Sequence, residues 1–247
     1  MLLKEKVAIV TGAGNTQGIG FAAARMFARN GASVILVDLD KDGVEAAARE
    51  IGIDALGIAA DVRSQETSKP VYAAAMERYG RVDILLNNAG ITQPRKTVDI
   101  TRDEYDAIMD VNLRGTLIMS QQALRVMKTG SSIICIASIA AQRGGGLMGG
   151  PHYAASKGGV LGLVKAMARD VGPAGIRVNA INPGVIMSQM TKDFYDDDLT
   201  AKVLPTVPLG RFGTPDDVAG ACLFLASDQS AYITGSSIDV NGGMHMN

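Results

Sequence analysis

Runs of four to eight residues rich in Val and Ile alternate along this chain with longer Ala-rich amphipathic stretches, and that alternation constrains the fold most. Val7–Thr11 (VAIVT), Ser33–Asp38 (SVILVD), Ala55–Ala59, Val82–Asn87 (VDILLN), Ser131–Ser138 (SSIICIAS), Arg177–Ile181 and Ser237–Val240 read as strands. Helices are predicted over Gly18–Asn30, Lys41–Ile51, Ser64–Tyr79, Thr101–Lys128, Tyr153–Val171 and Pro215–Ala226. In the first of these, Ile19, Ala22, Ala23, Met26 and Phe27 recur at spacings of three and four and form one apolar face. The long stretch from Thr101 is expected to break near Asp110, where Asn112 stands among apolar neighbours. Strands that alternate with helices are parallel and joined by right-handed crossovers. Because the strands are continuous apolar runs, helices should cover both faces of the sheet. The expected fold is α/β, a three-layer Rossmann-like doubly wound parallel sheet of about seven strands.

The 247 residues suit a single domain, with no internal repeat or low-complexity linker to divide them. Regular structure lapses twice. Gln142–Pro151 holds five glycines in ten residues, and Pro183–Gly213 carries Asp193 and Asp196–Asp198. Long irregular segments in a compact domain are usually functional, and Pro183–Gly213 is read as a segment that covers the substrate.

Composition narrows the function. A formal net charge of -1 argues against nucleic acid or an anionic membrane as the main partner. There is no apolar run of about 18 residues and no signal-peptide pattern at the start, so neither a membrane span nor secretion is expected. Cys135 and Cys222 are the only cysteines, too few for a disulfide framework, and they point to the reduced cytoplasm. With His152 and His245 the only histidines and no Cys-x-x-Cys pair, no metal site is expected.

The loop Thr11–Gly20 (TGAGNTQGIG) lies between the first strand and the first helix. Glycines there allow a tight turn and a close approach of backbone amides to a pyrophosphate, and the helix N-terminus adds partial positive charge. The second strand ends in Asp38. A carboxylate at that place can accept hydrogen bonds from both adenosine-ribose hydroxyls and repels a 2′-phosphate. The plainer reading of Asp38 is a turn residue or helix cap, and the glycine loop upstream disfavours it.

Tyr153 and Lys157 are four residues apart on a predicted helix and share a face. An ammonium beside a phenol favours the phenolate, so such a Tyr can exchange a proton with a substrate oxygen near neutral pH. Ser138 ends the fifth strand, at the sheet edge where open α/β folds bind ligands. Taken alone, a Tyr and a Lys at this spacing are an ordinary helix face.

Together these pieces resemble the short-chain dehydrogenase/reductase family in its single-domain form of about 250 residues. The matching pieces are Thr11–Gly20, Asp61-Val62, Asn87-Asn88-Ala89-Gly90, Asn112, Ser138, Tyr153-Ala154-Ala155-Ser156-Lys157, Pro183-Gly184 and the terminal Asp239-Val240-Asn241-Gly242-Gly243. The resemblance implies catalytic Asn112, Ser138, Tyr153 and Lys157. It implies dinucleotide contacts from Gly12, Asn15, Gln17, Gly18, Ile19 and Asp38, adenine contacts from Asp61 and Val62, and nicotinamide contacts from Asn88, Gly90, Pro183, Gly184, Ile186 and Ser188. Lys157 should also bond the nicotinamide ribose, and Asn112 should hold a water linking Lys157 to solvent.

The chain departs from the family pattern in two places. Five residues rather than three separate Gly12 from Gly18, which leaves the roles of Asn15, Thr16 and Gln17 open. The stretch from Ser138 to Tyr153 is about two residues longer than usual. Gly144–Gly150 is expected to absorb the excess and shape the substrate pocket, with Gln142 and His152 at its edge. Asp38 is followed by uncharged Leu39 and Gln17 is uncharged, so NAD(H) is expected over NADP(H). The resemblance implies hydride transfer between a nicotinamide and a small alcohol or carbonyl compound. The acidic lid and Ala174, where carrier-using relatives tend to have Arg, favour a small neutral secondary alcohol over a 3-oxoacyl group on acyl carrier protein. A non-catalytic dinucleotide-binding regulator is disfavoured by the complete catalytic set. Family relatives pair the helices near Thr101–Lys128 and Tyr153–Val171 across one two-fold axis and the last helix and strand across another, so a homotetramer is expected.

Overall fold

The computed structural model describes residues 1–52, 54–188, 191 and 194–246. Asp193, assigned above to the lid, lies outside them. Seven parallel strands form one sheet: β1 (Val7–Thr11), β2 (Ser33–Asp38), β3 (Ala55–Ala59), β4 (Ile84–Asn87), β5 (Ser132–Ile136), β6 (Arg177–Pro183) and β7 (Ser237–Val240). Their order is β3-β2-β1-β4-β5-β6-β7. The order reverses between β1 and β4, which opens a crevice at their carboxyl ends.

Helices α1 (Ile19–Arg29), α2 (Lys41–Ile51) and α9 (Pro215–Ala226) cover one face, and α3 (Gln65–Tyr79), α5 (Gly115–Leu124) and α7 (Pro151–Val171) cover the other. Alternate residues of one strand serve the two layers: Ala8 and Val10 pack with Phe21 and Phe27 of α1, while Val7 and Ile9 join the layer that holds Met119 of α5. β1, β4 and β5 are buried along their whole length, the physical reason for their unbroken apolar sequence.

Local chemistry explains the helix ends. Asp40 and Ser64 cap α2 and α3 through their side chains. Thr101 with Glu104 forms a capping box at α4 (Arg102–Met109), and Thr214 with Asp217 forms another at α9, which has Pro215 at its first position. The predicted break at Asp110 is a π-helical turn, Asp110–Arg114, between α4 and α5. Two short helices were not legible in the sequence: α6 (Ala140–Arg143), which starts before the glycine-rich stretch, and α8 (Asp197–Val203), capped by Asp196, inside the segment Pro183–Gly213. Among the described residues no helix is long and apolar enough to cross a membrane. Cys135 and Cys222 are buried free thiols, each pushed up to about 12 by burial.

Candidate active site

The carboxyl edge of the sheet borders a cavity of about 780 Å³ that runs from Asp38 and Asp61 past the β1–β4 crevice to Ser138, Tyr153 and Lys157. A first set of residues cradles its near half. Gly12 has φ 65°, and a Cβ there would lie 2.8 Å from Ala89 Cα, so the loop can take this path only with glycine. Asn88 Nδ2 donates to the carbonyls of Thr11 and Gly12, at 2.9 Å each, and pins the loop to β4. The Thr11 hydroxyl accepts from the amides of Asn88 and Ala89 and donates to the Leu86 carbonyl. Gly18 precedes α1 and offers no side-chain cap, so the first amides of the helix are left for an anion.

Asp38 is held from both sides. Its Oδ2 accepts from the Gly14 amide and its Oδ1 from the Leu39 amide, each at 2.8 Å. A Cβ on Gly14 would lie 3.0–3.1 Å from the Asp38 side chain. The two-residue longer loop thus turns its Gly14 amide toward β2. Asn15 makes the turn that follows: its carbonyl accepts from Gly18 N, and its Oδ1 accepts from Gln17 N. Asn15, Gly18, Ile19, Asp61, Val62, Gly90, Pro183, Gly184, Ile186 and Ser188 all line the cavity. Gln17 does not. It borders a separate hollow with Arg25 and Asp216, because the turn at Asn15 carries it away. Asp61 is paired with Arg63 at 2.7 Å, which holds its carboxyl below the usual range.

The reacting end is built from β5, the π-turn and α7. Ser138 Oγ accepts from the Ala140 amide as the chain enters α6. Asn112 is fully buried behind the cavity wall: its Oδ1 accepts from Ile91 N, and its Nδ2 donates to the Ile91 carbonyl and to Ser156 Oγ. Ser156 Oγ in turn donates to the Tyr153 carbonyl, and the Thr116 hydroxyl donates to the carbonyl that the π-turn exposes at Asn112. Ser156, Thr116 and Thr11 were missed as positioning groups. Hydroxyls inside otherwise apolar buried runs were the signal for all three.

Lys157 is buried, and its Nζ donates to the Ile136 carbonyl at 2.8 Å. Among the described residues it makes no ion pair, whereas buried Asp83 on the opposite sheet edge is neutralised by Arg81. A buried, unpaired ammonium marks a working group. The expected lowering of the Tyr153 phenol by Lys157 is not what the arrangement favours. The Lys157 nitrogen is 5.9 Å from the Tyr153 ring centroid, and burial pushes the phenol up, against a hydrogen bond from Ser138 that pulls it down.

Burial pushes Lys157 down from 10.5 to about 8. Between those values the unfolded chain holds the extra proton, so stability should rise with pH. From pH 7 to pH 10 the unfolding free energy should rise ~2–3 kcal/mol more than that of Lys157→Met. Urea denaturation reads this, and a pH-independent difference between the two proteins would refute it.

Gln142 and His152 do not line the cavity. His152 is buried, with its Nε2 3.3 Å from Gln93 Oε1, because Pro151 starts α7 two residues earlier than predicted and turns the ring inward. The pocket wall comes instead from Arg143, Gly144–Gly149 and Thr92.

A family model described as enoyl-(acyl carrier protein) reductase matches residues 12–245. An uncharacterised short-chain type dehydrogenase/reductase of Sinorhizobium fredii is 46% identical over 99% of both chains. An L-rhamnose 1-dehydrogenase (NAD(P)(+)) of Azotobacter vinelandii is 41% identical, covering 100% of this chain and 99% of that one. A 3-oxoacyl-(acyl-carrier-protein) reductase of Vibrio cholerae is 41% identical over 100% of both. A crystal structure titled as a short-chain dehydrogenase/reductase, glucose/ribitol dehydrogenase, of Brucella melitensis superposes with a TM-score of 0.94 at 33% identity, over 100% of this chain and 99% of that one. With the fold and the Ser138, Tyr153 and Lys157 cluster in place, these matches establish that the chain belongs to the short-chain dehydrogenase/reductase family, oxidoreductases that act on CH–OH or C=O groups with a nicotinamide dinucleotide.

Proposed function

We propose that this protein is an NAD-preferring oxidoreductase that interconverts a small secondary alcohol, such as a sugar, polyol or hydroxy compound, and its carbonyl. The observation that carries the reading is a single cavity shared by the Gly12–Ile19 cradle, the Asp38 carboxylate and the Ser138, Tyr153 and Lys157 cluster. The cradle suits a dinucleotide: Gly12 leaves room only for backbone, and the α1 amides have no side-chain cap. Asp38 is the acceptor for the adenosine ribose, Asp61 and Val62 border the adenine, and Asn88, Gly90, Pro183, Gly184, Ile186 and Ser188 border the nicotinamide.

When bound, the nicotinamide supplies hydride exchange with the substrate carbon. Tyr153 gives its phenolic proton to the carbonyl oxygen in reduction and takes the hydroxyl proton in oxidation. Ser138 orients that oxygen. Lys157 bonds the nicotinamide ribose and so sets the cofactor against Tyr153, and Asn112 fixes the Gly90–Ile91 turn against the π-turn. Absorbance of reduced nicotinamide, followed across an alcohol panel with NAD and NADP in parallel, tests the reading. No reduction with any alcohol, and no oxidation with the matching carbonyls, would refute it.

We further propose a homotetramer. Leu117 of α5 is 38% exposed, and Gly158 and Gly162, one turn apart on α7, face open space, so a second copy can approach closely there. Gly159 faces inward onto Leu113 and does not belong to that surface. Solution scattering at micromolar concentration should give about four times the 25.8 kDa chain mass. A monomeric mass would overturn the proposal.

A further inference from the structure

The charges that line the cavity are sorted by position. Among the described residues the acids are Asp38 and Asp61, after β2 and β3. The bases are Lys157, Arg143 and Lys202, which follow β5 or lie in the β6–β7 connection. Asp38 is held by backbone amides and Asp61 by Arg63, so the acidic end is internally satisfied.

The basic end is not. Arg143 closes α6, five residues past Ser138, and among the described residues its guanidinium donates only a 3.4 Å hydrogen bond to the Met244 carbonyl. Among the described residues neither Arg143 nor Lys202 has a carboxylate partner within ion-pair distance, although this chain pairs Arg63, Arg81, Arg95 and Arg211 with acids. Of the charged residues on α8, only Lys202 lines the cavity; Asp197 and Asp198 do not. Asp196, Asp197 and Asp198, three of the lid acids that favoured a neutral substrate, therefore do not line the cavity.

The same cavity is lined by apolar Ile139, Leu147, Met148 and Val203, with the hydroxyls of Thr191, Tyr195 and Thr206 among them. Leu147 is 53% exposed, an apolar side chain left at the mouth. The loop that carries it is pinned. The Thr92 hydroxyl donates to the Met148 carbonyl at 2.6 Å, and the Gly150 amide donates to the Gln93 carbonyl at 2.9 Å. Gly144 and Gly145 take φ of 83° and 118°, the backbone that lets the chain turn from α6 into this wall. The longer glycine stretch thus brings two things into the cavity that Ser138 and Tyr153 line: the apolar Leu147 and Met148, and a guanidinium just before them.

On the dehydrogenase reading above, we propose that the substrate is a hydroxy acid or oxo acid with a short apolar carbon chain. Its carboxylate is taken by Arg143, with Lys202 as the second cation, and its hydroxyl or carbonyl carbon lies at Ser138 and Tyr153. A planar guanidinium fork matches a carboxylate with two parallel hydrogen bonds and is held here by its helix end. A sugar or polyol would leave the apolar wall unused and both cations unpaired.

The test compares each hydroxy acid of a short aliphatic series with its own methyl ester, so that carbon skeleton and alcohol are constant and only the charge changes. The acids are expected to exceed their esters at least about tenfold in kcat/KM, through KM. Arg143→Ala should cut most of that preference by raising KM for the acids while leaving the esters unchanged, and adding Lys202→Met should remove the rest. Both side chains lie outside the core, so the variants should fold as the parent does. A binding arm is independent of turnover: hexanoate, which has no hydroxyl, should bind the NAD-loaded protein by calorimetry and bind Arg143→Ala at least about tenfold more weakly.

Esters and neutral alcohols used as well as the acids would overturn the substrate class and leave the dehydrogenase reading standing. A polyol phosphate preferred over every carboxylate would overturn it too, and would place a phosphate at the same cations. If no compound reduces NAD, the dehydrogenase reading fails, and the hexanoate arm alone decides whether the anion site exists.

Discussion

Tyr153→Phe is expected to lower turnover by two to four orders of magnitude or more while NAD still binds. The substitution removes one oxygen and leaves the ring in its half-buried place on α7, so packing survives. General acid–base catalysis by a positioned side chain contributes about 10²–10⁴-fold, and the phenol is the group in reach of the substrate oxygen. Lys157 cannot take its place. Its ammonium donates to the Ile136 carbonyl, and it sits 5.9 Å from the Tyr153 ring centre. Steady-state turnover with the best alcohol of the panel, together with calorimetric NAD binding, separates chemistry from affinity. Turnover like that of the unmodified protein would remove Tyr153 from the mechanism.

The second large effect concerns cofactor choice. Asp38→Ala should weaken NAD and relieve NADP, and Asp38→Ala with Leu39→Arg should invert the preference. The carboxylate can accept two ribose hydroxyls in charge-assisted bonds of about 1.5–3 kcal/mol, whereas a 2′-phosphate would face it as a second anion. Discrimination of about tenfold to a hundredfold follows in each direction. The two backbone amides that hold Asp38 keep its oxygens in place, so the carboxylate cannot swing out to admit a phosphate. Leu39 is 66% exposed at the adjacent position, so an Arg there replaces no packed side chain. The ratio of kcat/KM for NAD to that for NADP is the measurement. Use of both cofactors by the unmodified protein, or an unchanged ratio in Asp38→Ala, would defeat the proposal.

Much of the architecture was legible in the residues. β1 to β7 came from apolar runs whose continuity reflects burial on both faces, and α2, α3 and α9 from amphipathic stretches whose starts the structure fixes with local caps, Asp40, Ser64 and the Thr214 and Asp217 pair. The glycine loop, Asp38 and the Tyr153 and Lys157 spacing were equally local signals. Even the break at Asp110 could be anticipated, because a polar Asn112 inside an apolar helix needs partners that a regular turn does not supply.

What the sequence could not decide is where side chains point once distant segments meet. Gln17 sits inside the loop motif yet leaves the cavity, because a turn at Asn15 redirects it. His152 stands beside Tyr153 in the chain, but on α7 consecutive residues face different ways, and the ring turns in to Gln93 while Tyr153 lines the cavity. Lys157 was expected to tune the phenol by proximity alone. The fold instead buries Lys157 and half-buries Tyr153, and burial favours the uncharged form of each. In the sequence Arg143 stands ahead of a glycine tract and Lys202 follows the acidic Asp196–Asp198, and neither position signals a site. They share one cavity only because the β6–β7 connection folds back over the end of β5. Periodicity and caps are set by neighbours a few residues away, so the chain determined its elements by itself. Charge placement across the cavity brings Arg143 and Lys202, 59 residues apart in the chain, to the lining of one cavity, and only the tertiary structure decided it.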